Sequence, residues 1–205
     1  MFTVETIVIN SVAVKVAVPP VMELKKQYDR SSLPATFPYW AKIWPAAKAL
    51  SMFMIKHQSL IADKKITEIA AGLGLPSLVA ASMAQEVVCT DVRSEAIEFI
   101  NTSIHLNGLN NIKADVFDWN QEFLFETDVI LMSDVNYNPE SFKQLFLLVQ
   151  RILQRGAIIL LATPQRLMAK PFIESISNFI SQQEEYEIKG NDESVICSVF
   201  LLKIK

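Results

Sequence analysis

The pattern of hydrophobic and polar residues differs between the start of this chain and the rest of it. The first residues have the alternation of a β-hairpin, and the residues from Lys65 onward have a regular succession of strand and helix patterns. Over residues 3–18 small and β-branched residues alternate with polar ones, which predicts a β-hairpin turning at Asn10 and Ser11. Residues 28–38 are rich in Ser and Pro and are typical of a loop. Pro45 then suits the first turn of a helix. The apolar positions of that helix are Ala46, Leu50, Phe53 and Met54.

From Lys65 onward, short apolar runs alternate with amphipathic stretches, which predicts strands alternating with helices. The predicted strands are residues 66–70, 86–90, 112–117, 127–133, 157–162, 185–189 and 195–204, and the predicted helices are residues 76–84, 93–106, 141–153 and 169–181. Strands separated by helices are expected to pair in parallel. The last two strands are joined by a short turn at Gly190, Asn191 and Asp192, which is too short for a parallel crossover, so they are expected to pair antiparallel.

The predicted fold class is therefore α/β: a doubly wound, mainly parallel, seven-stranded sheet with an antiparallel C-terminal hairpin and an N-terminal β-hairpin extension. No repeat or linker divides the chain, so residues 1–205 are expected to form a single domain, with residues 1–37 as the extension and 38–205 as the core. A sheet of this class binds ligands at the carboxyl ends of its strands, next to the topological switch point.

Composition narrows the classes of function. A net charge of −3 gives no basic excess, so a nucleic-acid partner is not expected. Cys89 and Cys197, like the two histidines, lack the spacing of a disulfide framework or a metal site, so we expect no metal and a reducing, cytoplasmic setting. The first ten residues lack the basic flank of a secretory signal, and the charge-free run at residues 69–85 is interrupted by Gly and Pro, so no membrane association is expected.

The loop after the first core strand is expected to approach a ligand closely. Gly72 and Gly74 lie in it, and Pro76 opens a helix whose first-turn N–H groups favour polar or negative ligand atoms. Asp91 lies 19 residues after Gly72, at the end of the second core strand, where a carboxylate accepts hydrogen bonds from ribose hydroxyls. The glycine loop alone is equally typical of a tight turn, but the whole arrangement predicts an adenosine-containing cofactor.

Two residues bear on which cofactor this is. A dinucleotide-binding loop requires Gly or Ala at the position of Ser77, which argues against NAD. Glu68, at the end of the first core strand, favours a cationic methionine moiety, because a carboxylate gains Coulomb energy beside a sulfonium and an α-ammonium.

Five segments together resemble one known family. The run from Glu68 to Gly74 resembles motif I (E/D-x-G-x-G-x-G) of the class I, seven-strand, S-adenosylmethionine-dependent methyltransferases, with Ala70 at the first glycine position. Four others resemble the family-16 branch, which includes many protein-lysine N-methyltransferases: residues 44–47, 90–91, 117–119 and 133–137. The last of these is similar to the D-x-x-Y motif of that branch.

The resemblance implies a Rossmann-like methyltransferase core and S-adenosyl-L-methionine as the cofactor. Asp91 would then hold the ribose, Asp118 or Trp119 would border the adenine, and Trp44 would close the methionine end. The extra methyl of Ala70 would crowd the carboxylate end of the cofactor, but alanine is small enough for binding to persist. The cofactor-binding set it implies is Trp44, Glu68, Ala70, Ala71, Gly72, Gly74, Asp91, Asp118, Trp119 and Ser133.

The D-x-x-Y segment supplies the expected catalytic residues, Asp134 and Tyr137. Methyl transfer is an in-line displacement, so the protein mainly aligns a neutral nucleophile and excludes water. We expect Asp134 to orient the acceptor amine and Tyr137 to supply an aromatic wall and a hydroxyl. Because a carboxylate favours the charged form of an amine, Asp134 is not assigned as a base. Arg166 is either a surface arginine or the partner of an acidic group near the site.

The expected function is N-methylation of a protein lysine, with a small-molecule amine as the alternative acceptor. Two other classes stay open. A nicotinamide-dependent oxidoreductase would use Gly72 and Asp91 without needing Asp134 or Tyr137, and a non-catalytic binding module would result if Ala70 had abolished cofactor affinity. The sequence does not define an oligomeric state.

Overall fold

The computed structural model describes residues 2–20, 22–24, 37–190 and 194–204. Residues 28–36 of the predicted loop, together with the turn residues Asn191 and Asp192, lie outside the described part of the chain.

The core is built on a seven-stranded sheet, and a separate two-stranded sheet forms the N-terminal hairpin. The hairpin strands are β1 (Thr3–Ile9) and β2 (Val12–Val18), and the core strands are β3 (Lys65–Ile69), β4 (Glu86–Asp91), β5 (Ile112–Val116), β6 (Val129–Ser133), β7 (Ile158–Pro164), β8 (Ile180–Lys189) and β9 (Ser194–Leu202). In the core sheet the spatial order is β5-β4-β3-β6-β7-β9-β8. Strands β3 to β7 pair in parallel, and β9 is antiparallel to both β7 and β8. This confirms the predicted fold class, including both hairpins.

Helices cover both faces of the core sheet, because the central strands are apolar on both sides. They are α1 (Pro45–Lys56), α2 (Leu75–Ala80), α3 (Ser94–Asn107), α4 (Phe142–Gln154) and α5 (Lys170–Ile176). The predicted apolar positions of α1 are all buried, and with α2 and α3 they form the apolar cluster on one face. Helices α4 and α5 form the cluster on the other face, around Leu148 and Phe172. No helix in the described ranges is both long enough and apolar enough to cross a bilayer.

The N-terminal hairpin is fastened to α3 by side chains that complete its backbone hydrogen bonds. The buried N–H of Ala17 donates to Ser103 Oγ at 2.9 Å, and the N–H of Lys15 donates to Asn107 Oδ1 at 2.8 Å. Val14 and Val16 of β2 join the same apolar cluster as α3. The hairpin is thus part of the core packing on one face of the sheet.

Three predicted boundaries differ from the structure by four residues or more. Helix α2 ends at Ala80 rather than at residue 84, and α5 ends at Ile176 rather than at residue 181. Strand β8 begins at Ile180 instead of residue 185, directly after a short 3-10 turn. The start of β8 does not show in the sequence pattern because two of its first inward-facing residues, Gln182 and Glu184, are polar.

Candidate functional site

A cavity of about 970 Å³ opens at the carboxyl ends of β3, β4, β5 and β6. Strands β3 and β6 are neighbours in the sheet, but their following helices lie on opposite faces, so this is the topological switch point where such folds bind ligands. All but one of the predicted site residues line it: Trp44, Ala70, Ala71, Gly72, Gly74, Asp91, Asp118, Trp119, Ser133, Asp134 and Tyr137.

The loop after β3 reaches the cavity through three left-handed residues, Ala70 (φ +54°), Gly72 (φ +58°) and Gly74 (φ +70°). A Cβ on Gly72 would lie 3.0 Å from the carbonyl oxygen of Trp40, so a side chain there would press on a neighbouring loop. Ala70 takes up a conformation that L-residues rarely adopt, and it does so at the position where the resembling family has glycine.

Glu68 is the predicted site residue that does not line the cavity. It is fully buried beneath the loop, where its Oε2 accepts hydrogen bonds from the Ser77 N–H (3.0 Å) and Ser77 Oγ (2.5 Å). Burial raises the pKa of Glu68 to about 8. The expected direct contact with a cationic cofactor is therefore replaced by a structural role between β3 and α2. The first of these bonds also occupies the Ser77 N–H, one of the first-turn N–H groups of α2.

Asp91 joins the ends of β3 and β4. One carboxylate oxygen accepts from the Gly72 N–H at 2.8 Å and the other from the Arg93 N–H at 2.9 Å. Burial raises the pKa of Asp91, and these two N–H groups oppose the shift. An ionised carboxylate has about four lone-pair positions, so after these two bonds it retains acceptor capacity toward the cavity.

Asp118 and Trp119 follow β5 on the next side of the cavity. Asp118 Oδ1 accepts hydrogen bonds from the backbone N–H and the side-chain Nδ2 of Asn120, at 2.9 and 2.8 Å. Trp119 is half-buried and packs against the apolar cluster that contains Phe117. The indole therefore both supports the cavity wall and presents a surface to it.

Asp134, at the end of β6, forms a bidentate ion pair with Arg166. Arg166 Nη1 donates to Oδ1 at 2.8 Å and Nη2 donates to Oδ2 at 3.0 Å. Asp134 has φ +55°, and its backbone N–H continues the β6–β7 ladder to Ala162 O at 2.8 Å. Of the two alternatives for Arg166, the structure selects the partner of an acidic group in the site.

Aromatic side chains form the wall beside Asp134. The ring of Tyr137 lies 5.5 Å from that of Tyr39, which in turn lies 6.0 Å from Trp44. Trp44 Nε1 donates to Tyr39 O at 2.8 Å, and Lys42 Nζ lies 4.8 Å from the centre of the Trp44 ring. Burial raises the pKa of the Tyr137 hydroxyl, so this group stays protonated. Sequence reasoning missed Tyr39, although it stands in the same Pro-flanked segment as Trp44.

The remaining His and Cys residues do not form a second candidate site in the described part of the chain. Within that part, no three His, Cys, Asp or Glu side chains are placed to hold a metal ion. His105 is exposed on α3, and Cys89 and Cys197 are buried free thiols.

Comparison with known proteins gives one family. A family model described as lysine methyltransferase matches residues 39–184. The chain is 28% identical over 124 residues to histone-arginine methyltransferase METTL23 of Xenopus laevis, covering 57% of this chain and 53% of the relative. It is 27% identical over 159 residues to protein N-lysine methyltransferase METTL21A of Xenopus tropicalis, covering 74% of each. The chain thus spans about half the length of some curated relatives that it matches.

The fold is shared with solved structures. A tRNA (uracil-54, C5)-methyltransferase from Pyrococcus abyssi, in complex with S-adenosyl-L-homocysteine, superposes with a TM-score of 0.63 at 14% identity, covering 98% of this chain and 44% of that one.

Proposed function

The chain belongs to the lysine methyltransferase family, and we propose that it is an S-adenosylmethionine-dependent N-methyltransferase that acts on lysine side chains of a protein. The observation that carries the proposal is that the Gly72 loop and Asp91 line the same cavity at the switch point as Asp134 and Tyr137.

The residues of the cavity fit S-adenosylmethionine. Asp91 retains acceptor capacity for ribose hydroxyls, Trp119 offers an indole face for a purine, and Asp118 offers oxygens for an exocyclic amine. Trp44 lines the same cavity as the Gly72 loop and is assigned to the end that holds the methionine moiety. When bound, this cofactor supplies an electrophilic methyl group on a sulfonium whose sulfur leaves with the bonding electrons.

The acceptor end is assigned to Asp134 and Tyr137. A lysine ammonium, with an ordinary pKa near 10.4, must lose its proton to solvent before its nitrogen attacks. Asp134 offers oxygens to the N–H groups of the resulting amine, and the rings of Tyr39 and Tyr137 flank its path and exclude water.

The Asp134 ion pair supports lysine over arginine as the acceptor. Guanidinium groups are recognised best by bidentate pairing with a carboxylate. Arg166 already makes that pairing with both oxygens of Asp134. A substrate arginine would have to displace it, whereas an amine needs only one of the remaining lone pairs.

A protein acceptor and a cytoplasmic location complete the proposal. The net charge of −3 disfavours a nucleic-acid partner, and the exposed rings of Tyr39 and Tyr137 at the cavity mouth suit contact with a protein surface. Two free cysteines, both buried, are consistent with a reducing compartment.

Calorimetric titration tests the cofactor. We expect S-adenosylhomocysteine to bind and NAD not to bind. Asp91→Ala removes charge-assisted hydrogen bonds worth about 1.5–3 kcal/mol, so the affinity should fall about tenfold or more. Asp134→Ala should keep the affinity within about threefold of the native protein, because Asp134 is assigned to the acceptor. Binding of NAD alone would instead identify an oxidoreductase.

Two oriented peptide libraries that differ only in a fixed central lysine or arginine test the acceptor. With a tritiated methyl donor, the lysine library should take up label in preference to the arginine library, and Asp134→Ala should abolish most of that incorporation. Preferential labelling of the arginine library would contradict the proposal.

A further inference from the structure

The ion pair between Asp134 and Arg166 lies in the wall of the cavity rather than on the outer surface. The Asp134 side chain is only 7% exposed, and that of Arg166 is 33% exposed. The two residues follow neighbouring parallel strands, β6 and β7, so the backbone ladder fixes their separation. Both nitrogens of the guanidinium fork are engaged, which leaves the pair little freedom to rotate.

Arg166 determines the charge of this part of the cavity. Burial alone raises the pKa of Asp134, and the guanidinium opposes that shift. The other titratable groups that face the pair are the Tyr137 hydroxyl and the Cys197 thiol on β9, and burial raises the pKa of both. Both groups are uncharged near neutral pH. The Asp134–Arg166 pair therefore has almost no net charge, while its carboxylate oxygens still accept hydrogen bonds.

This charge balance matters for the nucleophile. A lone carboxylate beside an amine stabilises the ammonium form, which has no lone pair for attack. A carboxylate that is already paired offers hydrogen-bond acceptors without that electrostatic penalty. We propose that Arg166 is a positioning residue that neutralises Asp134, so that the acceptor lysine is held as the free amine. This inference rests on the proposed function.

Two cofactor analogues report this charge without any need for the acceptor. S-adenosylhomocysteine carries no group at the position of the transferred methyl, whereas sinefungin carries a protonated amine there. The ratio of their affinities, measured by calorimetry at pH 8, therefore reports the electrostatic environment at the acceptor end. A purely structural role for Arg166 would not change the ratio.

We expect Arg166→Met to raise the affinity of sinefungin relative to S-adenosylhomocysteine by about tenfold, because Asp134 is left without its cation and attracts the ammonium. Arg166→Lys keeps the positive charge and should return the ratio to within about threefold of the native value. The double variant Asp134→Asn with Arg166→Met should also return it. Arg151→Met, which removes an exposed arginine on α4, is the matched control and should leave the ratio unchanged.

The outcomes separate this inference from the proposed function. If the native protein binds neither analogue, the proposed function fails and the inference fails with it. If both analogues bind but Arg166→Met leaves the ratio at the native value, the inference alone is overturned. S-adenosylhomocysteine affinity and a cooperative thermal transition confirm that each variant is folded. If Arg166→Met does not fold, Arg166→Gln, which also removes the positive charge, provides the test with the same expected rise in the ratio.

Discussion

Two residues other than glycine adopt positive φ at the rim of the cavity, Ala70 after β3 and Asp134 after β6. Such conformations cost on the order of 1–3 kcal/mol and persist where the surroundings hold them. For Asp134 the surroundings are the β6–β7 ladder and the Arg166 fork. For Ala70 the following residue is held by a hydrogen bond from the Ala71 N–H to Thr90 O at 2.9 Å.

The strain at Ala70 predicts that Ala70→Gly does not destabilise the protein. Relief of the left-handed conformation gains about 1–2 kcal/mol, and the added freedom of glycine in the unfolded chain costs about 0.5–1 kcal/mol. The free energy of unfolding in urea should therefore stay level or rise by up to about 1.5 kcal/mol. Ala71→Gly is the control, since Ala71 has no positive φ and should lose stability. An equal loss in both variants would contradict the argument.

Glu68 makes stability depend on pH. The folded protein keeps its proton up to a pKa of about 8, whereas the ordinary value is 4.5, so between these values the folded state binds more protons than the unfolded state. The free energy of unfolding contributed by Glu68 must therefore fall as pH rises from about 4.5 to about 8. Glu68→Gln removes the titrating group and keeps an oxygen for Ser77.

Denaturation in urea at pH 5, 6.5, 8 and 9.5 measures this effect. The native protein should lose stability across the series relative to Glu68→Gln, and the two curves should run parallel above the pKa of Glu68. Glu122→Gln, at an exposed glutamate, should follow the native curve. Identical slopes for the native protein and Glu68→Gln would show that Glu68 is already ionised.

At the scale of elements, one buried hydroxyl contributes to the attachment of the hairpin to α3, beside the bonds of Asn107 and the packing of Val14 and Val16. Ser103 Oγ accepts from the Ala17 N–H and donates to Phe99 O, both at 2.9 Å. Ser103→Ala leaves the Ala17 N–H buried without an acceptor, which should cost about 1–3 kcal/mol of unfolding free energy. Thr102→Ala is the matched control, because Thr102 Oγ1 bonds only within α3. Its stability should stay within about 0.5 kcal/mol of the native value.

A second readout separates local from global effects of Ser103→Ala. If the hairpin detaches while the core stays folded, limited proteolysis should cleave the β1–β2 region faster in Ser103→Ala than in Thr102→Ala. Equal cleavage and equal stability would mean that the hydroxyl contributes nothing to the attachment.

Most elements were predictable from the sequence because their buried faces are apolar, and β8 shows where that signal is lost. Its inward-facing residues Gln182 and Glu184 are polar. Glu184 is accommodated there because it bonds to His57 at 2.7 Å and to Lys56 at 2.9 Å, at the end of α1. The alternation of hydrophobicity that marks a strand is therefore missing over residues 180–184. These partners are more than a hundred residues away in sequence, so local pattern could not reveal them.

The sequence could predict those residues of the candidate site that lie at the carboxyl ends of the strands. Asp91, Asp118 and Asp134 each come at the end of a parallel strand or directly after it, and all parallel strands end at one edge. Glu68 failed this reasoning because it lies one residue before the end of β3, where the side chain points into the protein rather than over the edge. The partner of Asp134 follows a different strand, so only the fold identified Arg166.

At the scale of the whole molecule, two separate apolar clusters lie on the two faces of the sheet, and the cavity opens at its carboxyl edge, between loops from several strands. Each cluster consists of buried apolar side chains from the strands and helices, whereas the rim is held by hydrogen bonds between neighbouring strand ends, such as the bond from the Gly72 N–H to Asp91. A ligand that bridges these loops must therefore stabilise the rim more than the faces.

This distribution predicts a localised response to S-adenosylhomocysteine. A ligand present at about 100 times its dissociation constant stabilises the native state by about 2.7 kcal/mol, so the thermal transition should rise. In hydrogen exchange, protection from local opening should increase in the segments after β3, β4, β5 and β6. The β1–β2 hairpin contacts α3 and does not line the cavity, so its local exchange should stay constant. Protection gained at the hairpin but absent from the loop around Gly72 would place the binding site elsewhere, whatever the size of the thermal shift.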